Sequence, residues 1–201
     1  MKPMNRNKNN GQRSGAKQPI RYAFVDSQNL NLGIQRAGWK LDWKKFYAFL
    51  TKQYNVKRAY LFIGYVPEYE EMYEQLHSIG YSIVLKPTID MLLTPEQKAE
   101  RDKQSEGEEH AQTKGNIDAE LVLQAMKDLS EYDEGIVVSG DGDFYCLVEY
   151  LNSVNKFGRL FAPNRNYSSF YTPFSGKIVR LDTMRRQLEY KIHGKKRPSK
   201  S

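Results

Sequence analysis

The sequence predicts a three-layer α/β/α fold, a doubly wound and mostly parallel sheet with helices on both faces. Two observations predict it. Short strand-like runs alternate with amphipathic helical stretches along residues 20–190, the pattern of successive β-α units. The run Ile136-Val-Val-Ser139 is apolar enough for a fully buried strand and ends in Gly140-Asp-Gly-Asp143, where glycine permits a sharp turn into the next helix.

The elements follow in order. Ile20-Arg-Tyr-Ala-Phe-Val25 reads as the first strand, and Asp26 closes it. Asp26-Ser-Gln-Asn29 leads into a helical stretch, Leu30 to Arg36, which Gly38 breaks. Asp42 is placed to N-cap a helix running to about Tyr54, because Trp43, Phe46, Tyr47 and Leu50 recur at helical spacing. Val56 to Gly64 is the next strand, Pro67 to Ile79 a helix stopped by Gly80, and Tyr81 to Leu85 a third strand. Leu121, Val122, Ala125, Met126 and Leu129 mark a strong amphipathic helix after Asp118. Phe144, Leu147, Val148 and Leu151 place a helix over 144–155, with Asp143 at its N-cap. Arg159 to Ala162 and Lys177 to Leu181 are the last strands, separated by a polar and aromatic loop or short helix, and a closing helix runs from Thr183 to Tyr190.

The 201 residues suffice for one domain with tails, and 39% hydrophobic residues suffice for a core. Residues 1–19 carry five Lys/Arg and no acid, and residues 183–201 carry seven against Glu189, so the overall +7 leaves the residues between net acidic. Disordered basic tails are expected at 1–19 and 191–201, flanking a domain at 20–190; such tails attract polyphosphate chains or merely stay solvated. Residues 90–113 change character. Thr94-Pro-Glu-Gln97 has the form of a capped helix start, but almost no apolar residue follows before Gln112. A charged surface insertion is expected there, serving as a lid or as a docking loop for a protein partner.

One cysteine, Cys146, excludes an intramolecular disulfide and a cysteine-based zinc site, and fits a reducing cytoplasm. It is expected among packed apolar side chains. Neither an apolar run long enough to span a membrane nor a secretory leader is evident, so no membrane role is expected. His77, His110 and His193 are too scattered for a metal site, and the Gly-x-x-x-x-Gly-Lys-[Ser/Thr] phosphate loop is absent.

Function is concentrated in carboxylates. Asp141 and Asp143 lie one residue apart beyond a strand, and repel each other unless a cation lies between them. A divalent ion with oxygen ligands is the usual solution; the alternative is that Asp141 caps a turn and Asp143 caps a helix. Right-handed crossovers bring the loops that precede helices to one sheet edge, and ligands bind there beyond the strand ends. Asp26, Asp118, Asp141 and Asp143 therefore come from three separate segments toward one point, with Asp26 and Asp141 neighbours if their strands are adjacent.

Three segments in this order, Val25-Asp26-x-x-Asn29, Lys114-Gly-x-x-Asp118 and Ser139-Gly-Asp141-Gly-Asp143-Phe144, resemble the NYN domain family in its LabA-like branch. The resemblance extends over about Arg21 to Asp182. It implies a PIN-like sheet and a metal-dependent ribonuclease or related nuclease, with Asp26, Asp118, Asp141 and Asp143 as the catalytic and metal-binding cluster and Asn29 and Ser139 as its support. The insertion departs from a compact family domain. Phosphodiester hydrolysis needs activated water and charge neutralisation, which Mg²⁺ or Mn²⁺ supplies. Asp26 and Asp141 are expected as central ligands, with Asp118 and Asp143 completing the site directly or through water.

Lys114 is placed to neutralise a phosphate oxygen, Arg165 to reach a phosphate, and Tyr65, Tyr167, Phe170 and Tyr171 to stack on bases of single-stranded RNA. For each, an ordinary structural role is the alternative. Two other functions compete: an RNA- or protein-binding module with weak or no catalysis, and a small-phosphate phosphohydrolase. The second lacks its expected Asp-x-Asp, since Asp26 is followed by Ser27-Gln28. Apolar positions on the last strand would suit a homo-oligomer.

Overall fold

The computed structural model describes residues 18–86 and 117–191, with the isolated positions 94 and 96. Lys114, nearly all of both expected tails, and the expected insertion other than Thr94 and Glu96 lie outside the described residues.

Six strands form one sheet: β1 (Arg21–Asp26), β2 (Val56–Gly64), β3 (Ser82–Lys86), β4 (Glu134–Val138), β5 (Phe157–Ala162) and β6 (Ile178–Arg180). Their order is β3-β2-β1-β4-β5-β6, and every pairing is parallel. The chain first winds outward from β1 to β3, then returns to β1's other side with β4 and winds outward again. The direction of winding therefore reverses between β1 and β4, which opens a crevice beyond their C-terminal ends.

Helices cover both faces, giving the expected three layers. Alternate residues of β1 point to opposite sides. Ala23 and Val25 join a core with Leu30, Ile34, Phe46 and Leu50. These come from α1 (Ser27–Arg36) and α2 (Trp43–Tyr54), and α3 (Glu70–Ile79) adds Leu76 to the same face. Tyr22 and Phe24 join the opposite core with Leu121, Ala125, Leu147 and Val148, from α4 (Asp118–Lys127) and α5 (Tyr145–Ser153). The chain closes with a short 3₁₀ turn, Leu181–Met184, and α6 (Arg185–Leu188), which seats Leu188 in the first core. No helix among the described residues is long and apolar enough to cross a membrane.

Local signals account for the element ends. Asp42 caps α2 by accepting a hydrogen bond from the Lys45 amide at 3.0 Å, which satisfies one of the amides a helix start leaves unpaired. Asn55 ends the same helix in the left-handed region at φ 53°. One segment differs from the sequence reading. The helix expected from Phe144 starts as a 3₁₀ turn, Gly142–Phe144, and it is Asp141, not Asp143, whose side chain caps that turn. The stretch between the last two strands takes the second of its two expected forms, a short helix: it is largely a 3₁₀ segment, Ser169–Lys177, which carries Pro173.

Phe24 is wholly buried, lies stacked on Tyr60 with ring centroids 5.7 Å apart, and meets Tyr132 edge-on at 5.6 Å. Phe24→Ala is expected to lower unfolding free energy by about 3–5 kcal/mol, from lost transfer energy and the cavity left behind. A urea titration checks this, and a loss below about 1 kcal/mol would contradict a rigid central strand.

Candidate active site

The register of β1 on β4 builds the site. Val25 lies beside Val138, so Asp26, the last residue of β1, and Ser139, the first beyond β4, come side by side. Both are buried, Asp26 at 6% exposure and Ser139 at 0%. Ser139 Oγ donates to Asp26 Oδ2 at 3.1 Å and accepts from the Asp141 amide at 3.1 Å. Asp26 Oδ1 accepts from the Asn29 amide at 3.0 Å, which makes Asp26 the N-cap of α1. Asn29 Oδ1 accepts from the Gly140 amide at 2.9 Å. The two loops beyond the sheet are thus tied at two points, and both oxygens of Asp26 are oriented by donors.

A third loop, after β5, braces them. The Ser168 amide donates to the Gly140 carbonyl at 2.9 Å. The Tyr171 hydroxyl donates to the Asp141 carbonyl. Burial, reinforced by Asp141, raises the Tyr171 phenol above its usual range, so it stays protonated and remains a donor. Two glycines permit the close approach. A β-carbon on Gly33 would lie 2.4 Å from Pro163 Cβ, and one on Gly142 would lie 2.6 Å from Ser168 Oγ.

Between these loops lies a cleft of about 410 Å³, lined by Asp26, Asp118 and Asp141 with Gln28, Asn29 and Arg36 among its other walls. Asp118 enters from the first turn of α4, where the helix's N-terminal dipole favours a negative charge. Asp26 and Asp141 stand one position earlier on their own helical segments, as N-terminal caps. Three helical N-termini therefore face one cleft, each with a carboxylate. The Asp26 pKa is raised above the usual carboxylate value. Burial is the largest cause, and the charges of Asp118 and Asp141 add to it, against the opposing hydrogen bonds from Asn29 and Ser139. No basic side chain among the described residues forms an ion pair with Asp26.

The donor set suits a hard divalent cation, since every candidate ligand is oxygen. Among the described residues, however, no three acidic, histidine or cysteine side chains are close enough together to hold one ion between them. That argues against a closed protein cage. It agrees with Mg²⁺-type binding, in which one or two carboxylates suffice and waters and substrate phosphates fill the remaining positions.

The other residues singled out from sequence are placed as follows. Asp143 is exposed and lines a neighbouring, mainly apolar hollow with Tyr145, Cys146 and Phe170; only its amide turns to the cluster, donating to Asp141 Oδ1 at 3.1 Å. Cys146 is free and exposed rather than packed away, because it lies on the outer side of α5. Tyr171 is wholly buried, so it cannot stack on a base; it positions the Asp141 backbone instead. Phe170 is 64% exposed. Tyr167 packs beside Gly140 and the second core. Arg165 lies in a hollow adjoining the cleft. Tyr65 is outside the cleft lining, its hydroxyl donating to Glu70 at 2.6 Å. Sequence reasoning did not find Gln28, Arg36, Asn164 or Asn166 as site walls. Gln28 had a findable signal, lying two residues after Asp26 on an incoming helix.

A family model described as the NYN domain matches residues 22–170. The chain is 28% identical over 140 residues to the Low amplitude and bright protein LabA of Synechococcus elongatus, covering 67% of this chain and 69% of that one. Among solved structures, a protein of unknown function from Vibrio parahaemolyticus shares the fold, with TM-score 0.61 and 23% identity over 82% of this chain and 93% of the other.

The hydrogen bond from Ser139 holds the Asp26 pKa down against burial. Without metal, Ser139→Ala is expected to move the Asp26 titration, followed by carboxyl NMR, further up. The sign for stability follows from the raised folded-state pKa. The folded state holds the proton more tightly, so Asp26's favourable contribution is complete below the usual value of 3.8 and is lost as pH rises through the raised one. Ser139→Ala extends that loss to higher pH and leaves the Asp141 amide without its acceptor, at about 1–3 kcal/mol. An unmoved titration would show that Ser139 does not control the carboxylate.

Proposed function

The chain belongs to the NYN domain family in its LabA-like branch, within the PIN-like nuclease superfamily, and on that footing we propose that it is a divalent-metal-dependent ribonuclease. The proposed substrate is single-stranded or flexible RNA, and the proposed ion is Mg²⁺ or Mn²⁺. One observation carries the reading: Asp26 is a buried carboxylate at the sheet's switch point, flanked by Asp118 and Asp141 and given no basic partner among the described residues.

Asp26 and Asp141 would hold the ion, with Asp118 reaching it through water. When bound, the ion supplies an activated water and neutralises charge building on the phosphate. The protein's share is positioning. Ser139 and Asn29 fix the Asp26 carboxylate, and Tyr171 and Ser168 fix the loop carrying Asp141, so little reorganisation is left for the reaction. Asp143, two residues beyond the cleft-wall Asp141, would act as an outer acid through water. Lys114 keeps its proposed role at a phosphate oxygen, Phe170 offers an open face for a base, and Tyr65 and Tyr167 remain secondary candidates for such contacts. Free Cys146 suits a reducing cytoplasm. Homo-oligomerisation and a protein partner on residues 90–113 stay proposals of the same kind.

End-labelled single-stranded RNA tests the reading, with Mg²⁺, with Mn²⁺ and with chelator. The natural protein is expected to cut only with metal, leaving 5′-phosphate and 3′-hydroxyl ends. Asp141→Asn is expected to slow cutting by at least about 100-fold, the upper end of what loss of a partner that only orients a metal ligand costs. Equal cutting by both proteins, or 2′,3′-cyclic phosphate ends, would contradict it. A binding module is the second reading, favoured by the exposed Phe170 and Arg165 near the cleft. RNA binding without cleavage at abundant Mn²⁺ would select it.

A further inference from the structure

We propose that the hollow beside the cleft is a phosphate track for the nucleic-acid strand running out of the active site, with Arg36 and Arg165 as its charge contacts. The proposal rests on the nuclease reading above and adds the surface that carries the substrate. The hollow, about 530 Å³, is lined by Arg36, Arg165, Arg180, Arg185, Asn164 and Asn166 among others. It shares Arg36, Asn164 and Asn166 with the acidic cleft, so the two form one continuous surface.

The four arginines are not equivalent. Arg180 is held in both forks by Asp182, at 3.1 and 2.8 Å. Arg185 is paired with Glu189 at 2.8 Å. Arg36 and Arg165 are exposed and have neither an ion pair nor a hydrogen-bond partner among the described residues. Their backbones are nonetheless fixed to each other. Asn164 Nδ2 donates to the Gly33 carbonyl of α1 at 2.7 Å, and the Asn166 amide donates to Asn164 Oδ1 at 2.8 Å. Gly33 packs directly on Pro163. The loop bearing Arg165 is therefore latched to the helix whose last turn bears Arg36. Two uncommitted guanidinium groups on a fixed frame suit successive phosphodiesters, which arginine can grip with paired N–H donors.

The bland account treats both as solvated surface charges, with Arg36 complementing the C-terminal dipole of α1; it predicts no effect of either on RNA binding. The acidic cleft gives such a wall a use. A polyanion approaching Asp26, Asp118 and Asp141 is repelled, and a pair of cations on the adjoining wall offsets that repulsion along one line of approach.

Fluorescence anisotropy of a labelled single-stranded oligoribonucleotide bound to the full chain, in chelator and over a salt series, tests the proposal without cleavage. The tails are the same in every variant, so differences belong to the hollow. Each single-strand phosphate contact contributes about −0.7 to the slope of log K against log salt. Arg36→Gln with Arg165→Gln is expected to flatten the slope by about 1.4, twice that contribution. Each single variant is expected to give half of this, and Arg36→Lys with Arg165→Lys to keep the natural slope. These side chains have no hydrogen-bond or ion-pair partners among the described residues, so the thermal midpoint is expected to move by no more than the small helix-end contribution of the Arg36 charge. A slope unchanged in the double Gln variant, or no binding at low salt, would overturn the proposal. Cleavage with Mn²⁺, assayed alongside, separates the two ideas. Cutting with an unchanged slope leaves the nuclease and removes the track; a flattened slope with no cutting leaves the track and removes the nuclease.

Discussion

A carboxylate taken out of water must be compensated, and Asp26 is compensated only in part. Two hydrogen bonds hold its oxygens, from Ser139 and from the Asn29 amide. Two like charges, on Asp118 and Asp141, work against it. A buried charge that lacks a partner is among the most costly features a fold can retain. The surrounding structure does not relieve this tension with a lysine or arginine among the described residues. It does the reverse, turning three helical N-termini, each carrying an acid, toward one cleft. The missing positive charge is what a divalent cation would bring.

The arrangement depends on one long-range fact, the adjacency of β1 and β4. Parallel pairing in their observed register sets Asp26 beside Ser139, and every later contact follows from that. Asn29 then reaches Gly140, Tyr171 reaches the Asp141 carbonyl, and Gly33 and Gly142 let the outer loops close in. The same latch from Asn164 to Gly33 that braces the cleft also sets the arginine wall beside it. Acidic centre and basic flank are thus two products of one loop packing.

Most of the architecture was legible in the chain. Strands buried on both faces need nearly continuous apolar residues, as at Ile136–Val138, and their helices carry apolar stripes, as at Leu121 and Ala125. The placement of Asp26 and Asp141 at strand ends was legible for the same reason. Side-chain roles set by distant partners were not. Tyr171 and Phe170 are adjacent aromatics in one loop, yet one is buried and the other mostly exposed, because only Tyr171 faces the Asp141 carbonyl. For Asp141 and Asp143 the sequence left two readings open, ligands of one site or caps of a turn and of a helix. The 3₁₀ turn gives the capping role to Asp141 and points Asp143 toward a different hollow. Arg165 was legible as a phosphate contact, but its pairing with Arg36 was not, because the two are 129 positions apart and their backbones are linked through Asn164 and Gly33.

The most direct measurement compares thermal unfolding of the natural protein and Asp26→Asn, each in chelator and in Mn²⁺. Asparagine keeps the helix cap and removes the charge. If Asp26 is a strained carboxylate awaiting a cation, the metal-free variant is at least as stable as the natural protein. Mn²⁺ then raises the midpoint of the natural protein alone, as binding to the folded state requires. A variant less stable in chelator, or an equal response to Mn²⁺ in both proteins, would show that Asp26 is a structural cap and that the cation site lies elsewhere or does not exist.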